Sequence, residues 1–149
     1  MSQLKQTLTD TIIVSMKARE IERVKVLRNV QAVIKQIEID RQTELNDAEV
    51  LEILQKQLKQ RHESLTIFTE NGRDDLANKE QFEIDIINEY MPKQMNDAEL
   101  AALVNAEIAA QGATSMRDMG SVMGVLKNKT AGRADPALIS KLVKDALQS

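Results

Sequence analysis

The chain has 149 residues, 42% apolar and 29% charged, with a formal net charge of -3, no cysteine and a single histidine. That balance fits one ordinary domain or two small ones folding in water, and it excludes a disordered polyelectrolyte, a disulfide framework, a thiolate metal site and most imidazole-based zinc geometries. The anionic total argues against indiscriminate affinity for nucleic acid, and an aromatic content of 2%, made up of Phe68, Phe82 and Tyr90, argues against base stacking, so any such contact must come from a local basic patch.

The opening MSQLKQTLTD lacks the apolar core of a secretory signal, and no run approaches the roughly 18 apolar residues needed to span a bilayer. A cytoplasmic protein with no membrane association is expected. Apolar residues recur at helical spacing almost throughout, and glycines and prolines fall mostly between the periodic runs, which predicts an all-α fold with no strands.

The first helix is predicted over about Leu4 to Ala18, with Leu4, Leu8 and Ile12, and then Ser15 and Met16, on its inward side. The second covers about Ile21 to Gln42, where Val26, Leu27, Val30, Val33, Ile34 and Ile37 form a stripe too wide for a strict coiled-coil seam and suited to two neighbours. The third starts after Asn46, which caps backbone amides while Glu49 reaches back, and ends at Gly72, where positive φ is needed. Within it Arg61 takes a slot that the pattern assigns to an apolar residue. It reads either as a half-buried partner for Glu80 or Glu83 on the next helix or as part of a ligand site.

The fourth helix covers roughly Asp74 to Met91, and Pro92, with no amide hydrogen to donate, forbids its simple continuation. The division into a four-helix unit, 1–93, and a three-helix unit, 94–149, is placed here. Asn96-Asp97-Ala98-Glu99 repeats the letters of Asn46-Asp47-Ala48-Glu49 as a reused cap. Three short helices follow: Asp97 to Gln111, closed by Gly112; Met116 to Asn128, capped by Ser115; and Pro136 to Leu147, capped by Asp135 with Pro136 at the first helical position.

Catalytic machinery is not legible. Nucleophilic catalysis needs an activated Ser, Cys or Lys beside a base, and the only histidine, His62, lies on a charged helical segment. The acids are interleaved with Lys, Arg and Gln on helical faces, no glycine-rich loop follows a strand, and neither a cofactor nor a metal site is expected.

The informative stretch runs from Gly112 onward, where Arg117, Lys127, Lys129, Arg133, Lys141 and Lys144 face only Asp118, Asp135 and Asp145. Lys127 and Lys129 stand at the exit of one helix, Arg133 in a glycine-containing turn, and the next helix starts at Pro136, an arrangement in which cations and free amides can converge on phosphate. The alternative is that the helix macrodipole alone favours these cations, at about 0.3–1 kcal/mol each. Gly120 and Gly124 lie four apart in a helix, where each costs about 1 kcal/mol relative to Ala. Close helix packing is the first explanation for them, and approach of an RNA backbone the second.

Met119-Gly120-Ser121-Val122-Met123 and Gly132-Arg133-Ala134-Asp135-Pro136, together with Leu54-Gln55-Lys56-Gln57-Leu58-Lys59-Gln60-Arg61, Gly72-Arg73-Asp74-Asp75-Leu76 and Glu89-Tyr90-Met91-Pro92-Lys93-Gln94-Met95, give the chain its likeness to known proteins. Over essentially its whole length it resembles the GatB/YqeY family, and within it the YqeY-like proteins. The resemblance implies that the C-terminal unit is similar to the tRNA-contacting tail of the B subunit of the glutamine-dependent aminoacyl-tRNA amidotransferase. It carries over to Gly120, Met123, Lys127, Gly132, Arg133, Asp135 and Pro136, with Lys141 and Lys144 added by charge rather than motif. A carbon–nitrogen ligase label with glutamine as amido donor would be inherited from that larger relative, whose kinase-like and amidase parts have no counterpart here.

The expected function is therefore non-catalytic tRNA binding through Lys127, Lys129, Arg133, Lys141, Lys144, Gly120 and Gly132. The alternative is a helical adaptor for an amidotransferase or synthetase component. A glutamine-dependent amide-transferring enzyme would need a nucleophile that the sequence does not display.

Overall fold

Helix α1 (Gln3–Lys17) begins where the Ser2 hydroxyl accepts the Lys5 amide at 3.2 Å; the structure, a computed structural model, describes residues 2–148. Leu8, Ile12 and Ser15 are buried at four-three spacing. Met16, expected inside, is instead exposed, because it lies about 100° further round the helix than Ser15. Arg19 adopts positive φ in the turn to α2 (Ile21–Arg41), which closes at Gln42 in the same left-handed region. Val24, Val26, Leu27, Val30 and Ile34 are buried along α2, which packs on α1, α4 and α3, while Val33 and Ile37 are half-buried.

Asn46 and Glu49 cap each other's amides at the start of α3 (Asp47–Glu70), and Gly72, at φ +68°, makes the turn beyond it. Helix α4 (Asp74–Asn88) ends three residues before Met91. The amides of Glu89, Tyr90 and Met91 each bond three residues back, because the residue before a proline is driven out of the α conformation and the last turn tightens instead. Arg61 is the half-buried partner of Glu83, with Nη1 3.2 Å from Oε2, and its Nη2 donates to Gln57 at 3.5 Å. The core of this unit is aliphatic, centred on Leu27, Val30, Val50, Leu54, Ile84 and Ile87.

The chain divides into two compact units, Met1–Met91 and Pro92–Ser149. In the second, α5 (Asp97–Gln111) is capped by Asn96 and closed by Gly112 at φ +63°. The helix expected from Met116 begins instead as a 3-10 turn, Met116–Asp118, and α6 proper is Met119–Thr130. The Asp118 carboxylate draws in the amides of Thr114 and Ser115, which holds the first turn tight and delays the α geometry. Helix α7 (Pro136–Gln148) completes the unit. Leu100, Val104, Val122, Leu126, Ile139 and Val143 form its own core. The described residues contain seven α-helices and no strand, and no helix is long and apolar enough to cross a membrane.

Candidate functional site

The α6–α7 turn carries the residues singled out by sequence. Thr130 is buried and donates its hydroxyl to the Leu126 carbonyl at 2.7 Å, ending α6. Gly132 then takes φ +71°, a conformation that suits a residue without Cβ, and lets the Arg133 amide fold back onto the Thr130 carbonyl at 2.8 Å. The segment after Pro92 is laced to this turn: Gln94 Nε2 donates to the Gly132 carbonyl at 2.6 Å, the Met95 amide donates to the Arg133 carbonyl at 2.9 Å, and Arg133 Nε donates to the Lys93 carbonyl at 3.0 Å. These bonds place Lys93 with the second unit.

The five cations fall into two groups. Lys129 Nζ lies 3.0 Å from Glu107 Oε1, and the other oxygen of that buried carboxylate accepts Gln111 Nε2 at 2.8 Å. The Gln111 hydrogen bond, followed by the Lys129 ammonium, holds the Glu107 carboxyl below its ordinary value. Lys129 is thus neutralised on the surface of α5, and Arg133 braces a carbonyl. Lys127 is exposed on the outer face of α6, and Lys141 and Lys144 are exposed one turn apart on α7.

Two further expectations change. The start of α7 is not an open anion site, because the Asp135 carboxylate accepts the Ala137 amide at 2.9 Å and puts its own negative charge there. Close helix packing does not explain Gly120 and Gly124: apart from the adjacent residues and the helix's own nearby backbone, no heavy atom lies within 4 Å of the position a Cβ would take on either, and both are exposed on the same side of α6 as Lys127. Glu107 was missed by sequence reading. Its signal is the inward four-three spacing of Leu100, Val104 and Glu107, which puts a carboxylate on the buried line of α5.

His62 is exposed on α3, and no group of three or more His, Cys, Asp or Glu among the described residues is placed to hold a metal ion.

Three relatives of the chain share the name "Altered inheritance of mitochondria protein 41, mitochondrial". The protein from Eremothecium gossypii is 34% identical over 127 residues, which is 85% of this chain and 64% of the relative. That from Vanderwaltozyma polyspora is 29% identical over 102 residues, 64% of this chain and 55% of the relative. That from Pyrenophora tritici-repentis is 30% identical over 105 residues, 68% and 57% respectively. The chain therefore matches less than two thirds of each relative's length. The cytoplasmic expectation is overturned by these names, which place the relatives in mitochondria; it rested on polar opening residues and the want of a bilayer-length apolar run, neither of which distinguishes cytoplasm from mitochondria. The sequence profile described as "Yqey-like protein" matches residues 5–147, so both units are included. On that match the chain belongs to the YqeY-like protein family.

Proposed function

We propose that the chain is a non-catalytic binder of RNA backbone, with tRNA as the ligand class, acting through the outer faces of α6 and α7. The observation that carries this reading is the bare strip at Gly120 and Gly124, exposed beside Lys127 with nothing of the chain packed on it. Each glycine costs about 1 kcal/mol of helix propensity relative to Ala, so a gain from outside the chain accounts for the pair where packing does not. Without Cβ atoms a sugar–phosphate backbone can approach the helix closely, and Lys127, Lys141 and Lys144 supply charge to neutralise phosphates. Recognition by shape and charge also suits a chain with three aromatic residues, since base stacking is not required.

Lys129 and Arg133 take a different part in this proposal: they hold α6 to α5 and the turn to Lys93, so that the exposed lysines stand on a fixed frame. The resemblance noted in the sequence implies a likeness of this unit to the amidotransferase tail, which favours the tRNA reading, and any carbon–nitrogen ligase chemistry would belong to other domains. Mitochondria, the setting in the relatives' names, is the first compartment in which to seek the RNA.

Titration of labelled tRNA at several salt concentrations tests the proposal. Replacing Lys127, Lys141 and Lys144 together by Ala is expected to weaken binding and to reduce the log–log salt slope by about 1 for each phosphate no longer neutralised. Lys129→Ala, whose partner is internal, is expected to leave the slope near the native value. Native-like binding and slope in the triple variant would refute the assignment.

A further inference from the structure

We infer that the outward face of α2, with the trough it forms beside α1, is a docking surface for an acidic amphipathic helix of a partner protein. The inward register of α2 serves the core, but a second register runs along its solvent side: Ile21, Lys25, Arg28, Ala32, Lys35 and Ile39 are all exposed and alternate in spacing between four and three. That is the spacing of a helix–helix seam, and it keeps one straight line over about 27 Å at 1.5 Å per residue. Ile21 and Ile39, at its two ends, are 65% and 59% exposed, the two most open isoleucines among the described residues. Between them stand three cations and no acid.

Two hollows flank the line. One, of about 600 Å³, lies between α1 and α2 beside Thr9 and Gln31, and the other, of about 350 Å³, lies at the elbow beside Met16 and Ile21. Arg28 borders both and rests on Met16, with Nη2 3.3 Å from Sδ. The acids beside the line are Glu20, Glu22, Glu38 and Glu44; Glu20 meets Arg23 at 3.7 Å, and Glu44 is exposed in the lining of the larger hollow, where Lys5, Arg28 and Lys35 outnumber it and Glu38. Glu38 is already held by Lys5 at 2.6 Å and by the Leu45 amide at 2.8 Å, and Glu22 meets Lys25 only in a highly exposed pair at 3.4 Å that a partner carboxylate can displace.

Charge complementarity selects the occupant. Phosphates would satisfy Lys25, Arg28 and Lys35 but leave Ile21, Ile39 and Met16 in water. A helix with leucines along one seam and glutamates beside it covers both: its apolar side chains enter the hollows and its carboxylates reach the cations. This inference concerns the first unit and stands independently of RNA binding by the second.

The test uses the full chain and a fluorescein-labelled 18-residue peptide with Leu at four-three spacing flanked by Glu, followed by fluorescence anisotropy. The same peptide with Lys for every Glu, and a shuffled peptide of the original composition, are the controls. The acidic helix is expected to bind at least about tenfold more tightly than either control, and both the Lys25→Glu/Arg28→Glu/Lys35→Glu variant and the Ile21→Ser/Ile39→Ser variant to lose about tenfold or more. These positions are exposed, so circular dichroism and melting are expected to stay native in both variants. The inference is overturned if the acidic and shuffled peptides bind alike or if both variants keep native affinity. It is also overturned if labelled tRNA rather than the peptide loses affinity in the charge-reversed variant, or if sedimentation shows a native dimer that the isoleucine variant splits, which would make a second copy the occupant.

Discussion

Glu80 sits beside Arg61 and Glu83, and one of its carboxylate oxygens is buried without a hydrogen-bond partner, as is Arg61 Nε. Burial, followed by the neighbouring Glu83 charge, pushes its carboxyl above the ordinary value against the opposing pull of Arg61. A carboxyl that holds its proton more tightly in the folded than in the unfolded state makes the ionised form a liability, so this group opposes folding at neutral pH and ceases to do so as the pH falls through its raised value. Glu80→Gln, which removes the charge while keeping a polar group of the same shape, is accordingly expected to raise stability at pH 7, with the gain shrinking toward acid. Thermal melting across pH checks this, and an unchanged or lowered midpoint at pH 7 would count against it. Arg61 was visible in the sequence as a break in an apolar stripe. Which of the two glutamates takes it was not, because that depends on how α3 and α4 register across a turn.

At the scale of helices, Asp47 belongs to the first turn of α3 but serves α1: its carboxylate accepts the Ser2 hydroxyl and, at 3.0 Å, the Leu4 amide. The Ser2 hydrogen bond, and then that amide, hold the Asp47 carboxyl below its ordinary 3.8, while the Lys5 ammonium and the Leu45 amide hold Glu38 below 4.5. For carboxyls lowered on folding, the stability they confer is present above those ordinary values and is lost as the pH falls through the folded ones. Asp47→Ala is expected to cost about 0.5–2 kcal/mol at pH 7, as other caps do, and to speed amide exchange in the first turn of α1. The deficit should close in acid, where the native side chain is itself protonated. Exchange in α1 indistinguishable from native would refute the role. The caps at Asn46, Asn96 and Asp135 were legible because each acts within its own helix; Asp47 was not, since its partners lie 43 and 45 residues away.

For the molecule as a whole, periodicity and two prolines sufficed to read seven helices, because local hydrogen bonding and an aliphatic core leave few alternatives. The candidate site was less legible: the cations could be picked out, but nothing in their spacing revealed that Glu107 holds Lys129 or that the Lys93 carbonyl takes Arg133. The exposed seam on α2 also went unread, since a line of mixed Ile, Lys, Arg and Ala resembles an ordinary solvated face until the core register is known. The two cores share no residues. Leu126→Ala, which empties a fully buried position in the second, is expected to cost about 2–5 kcal/mol and to accelerate exchange from α5 to α7 while leaving α3 and α4 native. Equal acceleration in both units, measured by hydrogen exchange, would mean that they unfold as one.

The open space over Gly120 and Gly124 has a consequence for how occupancy can be detected. Two residues of poor helical propensity in a twelve-residue helix make α6 a soft rung of its trio, held by Val122 and Leu126 rather than by its own backbone. A guest settling on that strip would restrict the same backbone whose freedom the glycines preserve, so its arrival would register as hardening of the fold, readable as heat resistance before the guest itself is identified.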